Sequence, residues 1–144
     1  MKLPLILAID FDLTIVYSHP FPKIQGLRSG VKKYINKLYD QGYYIIIWTC
    51  RTDNEITNDQ TEAIEYLKKN GVMYHEINTN HYALKNCFKN DCRKIAADMY
   101  IDDKGLWLFG LPRWSILYKL IKWKSKFARP LLGHCKKEDF ELKK

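Results

Sequence analysis

The sequence predicts an α/β fold, a three-layer, doubly wound and mostly parallel sheet. Three observations carry this. Short apolar runs at residues 3–9, 43–48, 72–77 and 99–101 alternate with stretches of helical period, the pattern of βαβ units. The first two runs are continuously apolar or β-rich, as in strands buried on both faces. Polar residues then follow three of the runs: Asp10 and Asp12, Thr49 and Arg51, Asp102 and Asp103. In a parallel sheet those positions share one edge, where ligands bind.

Taken in order, residues 3–9 form the first strand and lead straight into Asp10. Residues 15–28 hold Pro20, Pro22 and Gly26 and predict a loop. Ser29 is a good N-cap for a helix whose Val31, Tyr34, Ile35 and Leu38 make one apolar stripe. Gly42 closes it, and residues 43–48 form the second strand. Asp53 or Asn54 caps the next helix, with Ile56, Ala63, Ile64 and Leu67 facing inward and Asn70-Gly71 at its end. Residues 72–77 are the third strand. Residues 78–93 are polar and show no clear period. Met99-Tyr100-Ile101 is a fourth strand ending in carboxylates. Residues 104–113 predict a loop, and 114–126 a last helix with Trp114, Leu117, Tyr118 and Ile121 on its apolar face.

A chain of 144 residues, 47% hydrophobic, suits one domain with a full core. The division expected is 1–126 as the catalytic domain and 127–144 as a basic tail. The net charge of +8 is uneven: residues 1–113 carry +2 and residues 114–144 carry +6. Lys119, Lys122 and Lys126 share a helix face, and Lys136, Lys137, Lys143 and Lys144 follow without apolar periodicity. The apolar N-terminus faintly imitates a secretory signal but lacks a small-residue cleavage site. No apolar stretch nears the ~18 residues of a membrane span. Cys50, Cys87, Cys92 and Cys135 form no Cys-x-x-Cys pair and read as reduced thiols, so a cytoplasmic location and no membrane partner are expected. A zinc site from His81, Cys87 and Cys92 matches no common finger spacing.

Two carboxylates just past a buried strand are costly, because like charges in a cleft repel unless a cation lies between them. The bland alternative is a cap or turn that uses Asp. Several carboxylates with a Lys and a Thr hydroxyl suit Mg²⁺ and a phosphate. A carboxylate can attack phosphorus, a second can move the leaving-group proton, and a Lys can neutralise the transferring group.

At this point the motifs are recognisable. Asp10-Phe11-Asp12-Leu13-Thr14 resembles the first motif, Asp-x-Asp-x-Thr, of the haloacid dehalogenase-like superfamily. The strand ending in Thr49, then Lys94, then Asp102-Asp103 resemble its second, third and fourth motifs, in order across residues 5–104. The resemblance implies Asp10 as nucleophile and metal ligand, and Asp12 as general acid/base with its carbonyl on the metal. It implies Thr49 and Lys94 as phosphate-site residues and Asp102 and Asp103 as Mg²⁺ ligands. Lys85 is the rival to Lys94, and Arg51 could fork onto a substrate phosphate or be an exposed loop residue. Family members that dehalogenate typically lack the second Asp, so Asp12 points to phosphoryl chemistry.

The intervals where relatives insert a cap domain hold only 14 residues (15–28) and 16 residues (78–93). A capless, 5′-nucleotidase-like phosphatase is therefore expected, acting on a small phosphorylated metabolite or nucleotide. An oligomer is compatible with the sequence. A nucleic-acid end phosphatase using the basic tail is the first alternative. A non-catalytic phosphate-binding or signalling module is the second, and the motif order opposes it.

Overall fold

The computed structural model describes residues 2–142. Four strands form one parallel sheet: β1 (Ile6–Ile9), β4 (Tyr44–Ile47), β5 (Glu76–Ile77) and β6 (Met99–Ile101), in the order β5-β4-β1-β6. β1 pairs with β4 through Ile6↔Tyr44 to Ile9↔Ile47, and with β6 through Leu7↔Met99 to Ile9↔Ile101. The chain steps outward from β1 to β4 and β5, then returns to place β6 on the other side of β1. Strand order thus reverses at β1, and the carboxyl end of β1 is the crevice such sheets offer to ligands.

All four residues of β1 are at most 1% exposed, as the continuous apolar run predicts. Successive side chains point to opposite faces. Leu7 and Ile9 join a core with Val31, Ile35 and Leu38 of α1 (Val31–Asp40), Ala63 and Leu67 of α2 (Asp59–Asn70), and Trp114, Leu117 and Ile121 of α4 (Trp114–Ser125). Ile6 and Ala8 join a second core with Ile46, Ala83 and Leu84 of α3 (Tyr82–Phe88), Ile95 and Leu132. Helices cover both faces, so the three-layer α/β expectation holds at the level of a Rossmann-like arrangement.

Several local expectations need correction. Residues 15–28 are a hairpin, not a plain loop: β2 (Val16–Ser18) pairs antiparallel with β3 (Ile24–Leu27). The prolines lie in its turn and leave the β-branched and apolar arms free to pair. Helix α1 is capped by Gly30 at φ 83, not by Ser29. A Cβ there would meet the Tyr34 ring at 3.1 Å, so the positive φ and the tight space both favour glycine. Helix α2 starts after Asn58, later than expected, and Ile56 is 93% exposed. Asp53 still serves that helix from a distance, accepting from the Gln60 and Thr61 amides at 3.0 Å each. The irregular 78–93 stretch contains α3, whose seven residues are too few to print a periodic stripe.

The C-terminal residues are not a free tail. Two short 3₁₀ turns, Leu131–His134 and Lys137–Phe140, lie beside α3, and Leu132 is fully buried. Asp98 pins this segment: its carboxylate accepts from the Leu131 amide at 2.8 Å and the Ile6 amide at 2.7 Å. A seven-residue α3 covers part of the second sheet face, and Ile95 and Leu132 pack there beside it. Lys143 and Lys144 lie outside the described residues. No described helix is long and apolar enough to cross a membrane.

Candidate active site at the carboxyl end of β1

Asp10 follows β1 directly, and its amide donates to the Ile101 carbonyl of β6 at 2.9 Å. This strand pairing brings the residues after β1 and β6 side by side. Oxygens of Asp10, Asp102 and Asp103 all lie within 4.8 Å of one another. Thr14 links two of them, Asp10 and Asp103. Its hydroxyl donates to Asp10 Oδ2 at 3.0 Å and accepts from the Asp103 amide at 2.9 Å. Thr14 is buried, and its carbonyl takes the indole N–H of Trp114 at 3.0 Å. Between Asp12 and Thr14 the backbone turns through Leu13 at φ 60. A left-handed leucine costs on the order of 1 kcal/mol, and such strain gathers at functional sites.

Burial pushes the Asp10 carboxyl up to about 7, with the Asp102 and Asp103 charges adding to the rise and the Thr14 hydrogen bond opposing it. A cation beside such a carboxyl cluster favours its ionised form. The donors are all carboxylate oxygens, the set a hard cation such as Mg²⁺ prefers. The three residues therefore fit the metal expected.

Asp12 is placed elsewhere. Its carboxylate accepts from Arg51 Nε at 2.9 Å and from an Arg51 terminal nitrogen at 2.7 Å, a bidentate pair. Three carboxylates converge, and the Asp12 side chain, expected as general acid/base, is turned to Arg51. Arg51 is corrected too: it is neither an exposed loop residue nor free for a substrate phosphate. It is fully buried, donates to the Pro22 carbonyl of the hairpin at 2.7 Å, and lies 5.1 Å from the Phe11 and Phe21 ring centroids.

Thr49 is buried past the end of β4, and its hydroxyl accepts from the Arg51 amide at 3.1 Å. A hydroxyl that accepts there still has its proton to donate. Asn78 fixes this loop: its side-chain oxygen accepts from the Thr49 amide at 2.8 Å. Asn78 sits at φ 51, a region asparagine tolerates better than most residues. Sequence reasoning gave Asn78 no role, although its place directly after β5 is the same signal that singled out the other edge residues.

Lys94 is exposed and holds its ammonium 5.4 Å from the Tyr100 ring centroid, and that ring lies 5.7 Å from Trp48. Lys85 donates to the Thr79 hydroxyl at 3.2 Å and faces Asp91 at 3.8 Å. Neither lysine forms an ion pair with Asp10, Asp102 or Asp103. His81, Cys87 and Cys92, whose spacing matched no zinc finger, do not form a ligand group among the described residues. The His81 ring caps α3 by accepting from the Ala83 amide at 3.1 Å, and Cys92 bonds the Lys94 carbonyl.

No family model matches this sequence, and no curated protein matches it. The chain is similar to a solved structure of a conserved protein from Bacteroides thetaiotaomicron, at 29% identity and a TM-score of 0.69. The match covers 86% of this chain and 94% of that one. It supports the fold and carries no activity with it.

Proposed function

We propose that this chain is a capless phosphomonoesterase of the haloacid dehalogenase-like type that works with Mg²⁺ and forms an aspartyl-phosphate on Asp10. One observation carries the reading: Asp10, Asp102 and Asp103 meet at the strand-order reversal, with Thr14 bonded to Asp10 and Asp103. Asp10, Asp102 and Asp103 would hold the metal. When bound, it neutralises phosphate charge and favours the ionised form of Asp10.

In the first half-reaction an Asp10 oxygen bonds to phosphorus as the bond to the ester oxygen breaks. The departing oxygen needs a proton, which Asp12 supplies as general acid. In the second half-reaction Asp12 takes a proton from water, and that water's oxygen attacks the phosphorus carried by Asp10. Asp10 is regenerated and inorganic phosphate leaves. Arg51 engages both Asp12 oxygens and holds that carboxylate in one orientation, leaving a lone pair on each oxygen for the proton. Thr49 donates its hydroxyl hydrogen to a phosphoryl oxygen, and Lys94 supplies the positive charge on the same group.

Hydrolysis of a generic aryl phosphate tests the proposal. Turnover that needs Mg²⁺ and stops in Asp10→Asn protein is expected. Tight phosphate binding without turnover would favour a signalling or binding module instead.

A further inference from the structure

A second group of ligating side chains lies outside the carboxylate site. Cys87 ends the last full turn of α3, Cys135 follows the first 3₁₀ turn, and Asp139 lies in the second. Their two sulfurs and a carboxylate oxygen lie within 4.8 Å of one another. All three side chains are half-buried. The thiols make long contacts, Cys87 to the His134 carbonyl at 3.8 Å and Cys135 to the Ala83 carbonyl at 3.6 Å.

We infer that Cys87, Cys135 and Asp139 form a site for a thiophilic divalent cation of the zinc type, which fastens the C-terminal segment to α3. Thiolate sulfur and carboxylate oxygen are both zinc donors, and three protein ligands leave one tetrahedral position to water. The carboxylate distinguishes this from a simple thiol pair, since a disulfide has no use for a third ligand. Asp139 is already oriented. Its Oδ2 accepts from the Lys136 amide at 2.7 Å, and its own carbonyl takes the Asn86 side-chain amide at 2.8 Å. Such outer bonds hold a ligating carboxylate in place and leave its other oxygen for the metal.

Binding releases the two thiol protons and leaves two thiolates and one carboxylate around a doubly positive ion. The position explains what the site would do. Residues 131–140 cover the second sheet face with Leu132, and a metal bridge from Cys87 to Cys135 and Asp139 joins that cover to the helix beside it. Asp98 bonds both Leu131 and the Ile6 amide at the amino end of β1, whereas Asp10 follows the carboxyl end, and the two groups share no residue, so the sites are separate.

The test is titration of the full, reduced chain with Co²⁺ alone, read by the sulfur-to-cobalt charge-transfer absorption. This signal comes only from thiolate ligands and ignores any ion at Asp10. One equivalent should bind, and one equivalent of Zn²⁺ should abolish the absorption. Cys87→Ser and Cys135→Ser should lose it. Asp139→Asn, a conservative change on a half-buried residue, should weaken binding by roughly tenfold or more. Cys50→Ser, Cys92→Ser and Asp10→Asn should keep it. Zn²⁺ should also slow proteolysis between residues 126 and 142 in the wild-type chain. Absence of the absorption in protein with four titratable thiols would overturn the inference, as would its persistence in Cys87→Ser protein or undiminished affinity in Asp139→Asn.

Discussion

The guanidinium of Arg51 grips the carboxylate of Asp12 through two hydrogen bonds, 2.9 and 2.7 Å long, and is itself fully buried. One of its terminal nitrogens has no hydrogen-bond partner among the described residues. The pair links the loop after β1 to the loop after β4, and through the Pro22 carbonyl to the hairpin. Removing one member of a buried pair strands the other, at roughly 3–5 kcal/mol. Asp12→Ala should therefore destabilise the protein by about that amount. Arg51→Met should cost less, because the Asp12 side chain retains 21% exposure. Arg51→Lys loses the two-pronged grip and should lower kcat more than it raises KM. Denaturant melts and steady-state kinetics check all three.

Asp10→Asn should abolish phosphatase turnover yet stabilise the metal-free protein near neutral pH. The folded carboxyl is pushed up to about 7 from 3.8, so between those values the folded chain holds one proton more than the unfolded chain. Stability of the metal-free wild type then falls as pH rises through that window. The amide does not titrate. Melting temperatures of the two proteins in chelator should converge below pH 4 and separate above pH 7, with the variant higher. A variant that melts lower at pH 8 would contradict the assigned cause.

Trp114 belongs to the core of α4, yet its indole N–H is spent on the Thr14 carbonyl. Trp114→Phe keeps an aromatic side chain and orphans that buried carbonyl, a loss of about 1–3 kcal/mol. Because Thr14 holds Asp10 and Asp103 together, Mg²⁺ dependence should shift to higher concentration as well. A stability loss with an unchanged Mg²⁺ requirement would make Trp114 a packing residue alone.

His81 predicts an acid limb. Burial, helped by His75, pushes its folded value down to about 4 from 6.5. Its ring accepts from the Ala83 amide, which a protonated ring nitrogen cannot do. Below 6.5 the unfolded chain binds more protons, so stability is lost as pH falls toward 4. His81→Asn keeps an N-cap acceptor without the titration and should flatten that limb. Chemical denaturation between pH 4 and 7 measures it.

Much of the site was legible because the sheet is parallel. Continuous apolar runs marked β1 and β4, and the polar residues after β1, β4 and β6 had to share an edge. Asp10, Asp102 and Asp103 met for that reason. What stayed hidden depended on side-chain direction. Nothing in the spacing of Asp12 and Arg51 says that they face each other instead of the cleft. Helix α3 is too short to show a period, and the arms of the hairpin were masked by Pro20 and Pro22. The docked C-terminus was missed because one residue, Leu132, does most of the burying, and a single leucine leaves no pattern. Cys87 was noticed, but its neighbours in space are Cys135 and Asp139, brought there by that same docking.

The most direct measurement concerns where phosphorus goes. Asp12→Asn protein, incubated with an aryl phosphate and Mg²⁺, quenched in acid and digested, can be read by mass spectrometry. The account predicts a phosphoryl group on Asp10, formed only with Mg²⁺ and absent when Asp10 is also changed to Asn. A phosphoryl group on another residue, or full wild-type turnover in excess EDTA, would contradict it.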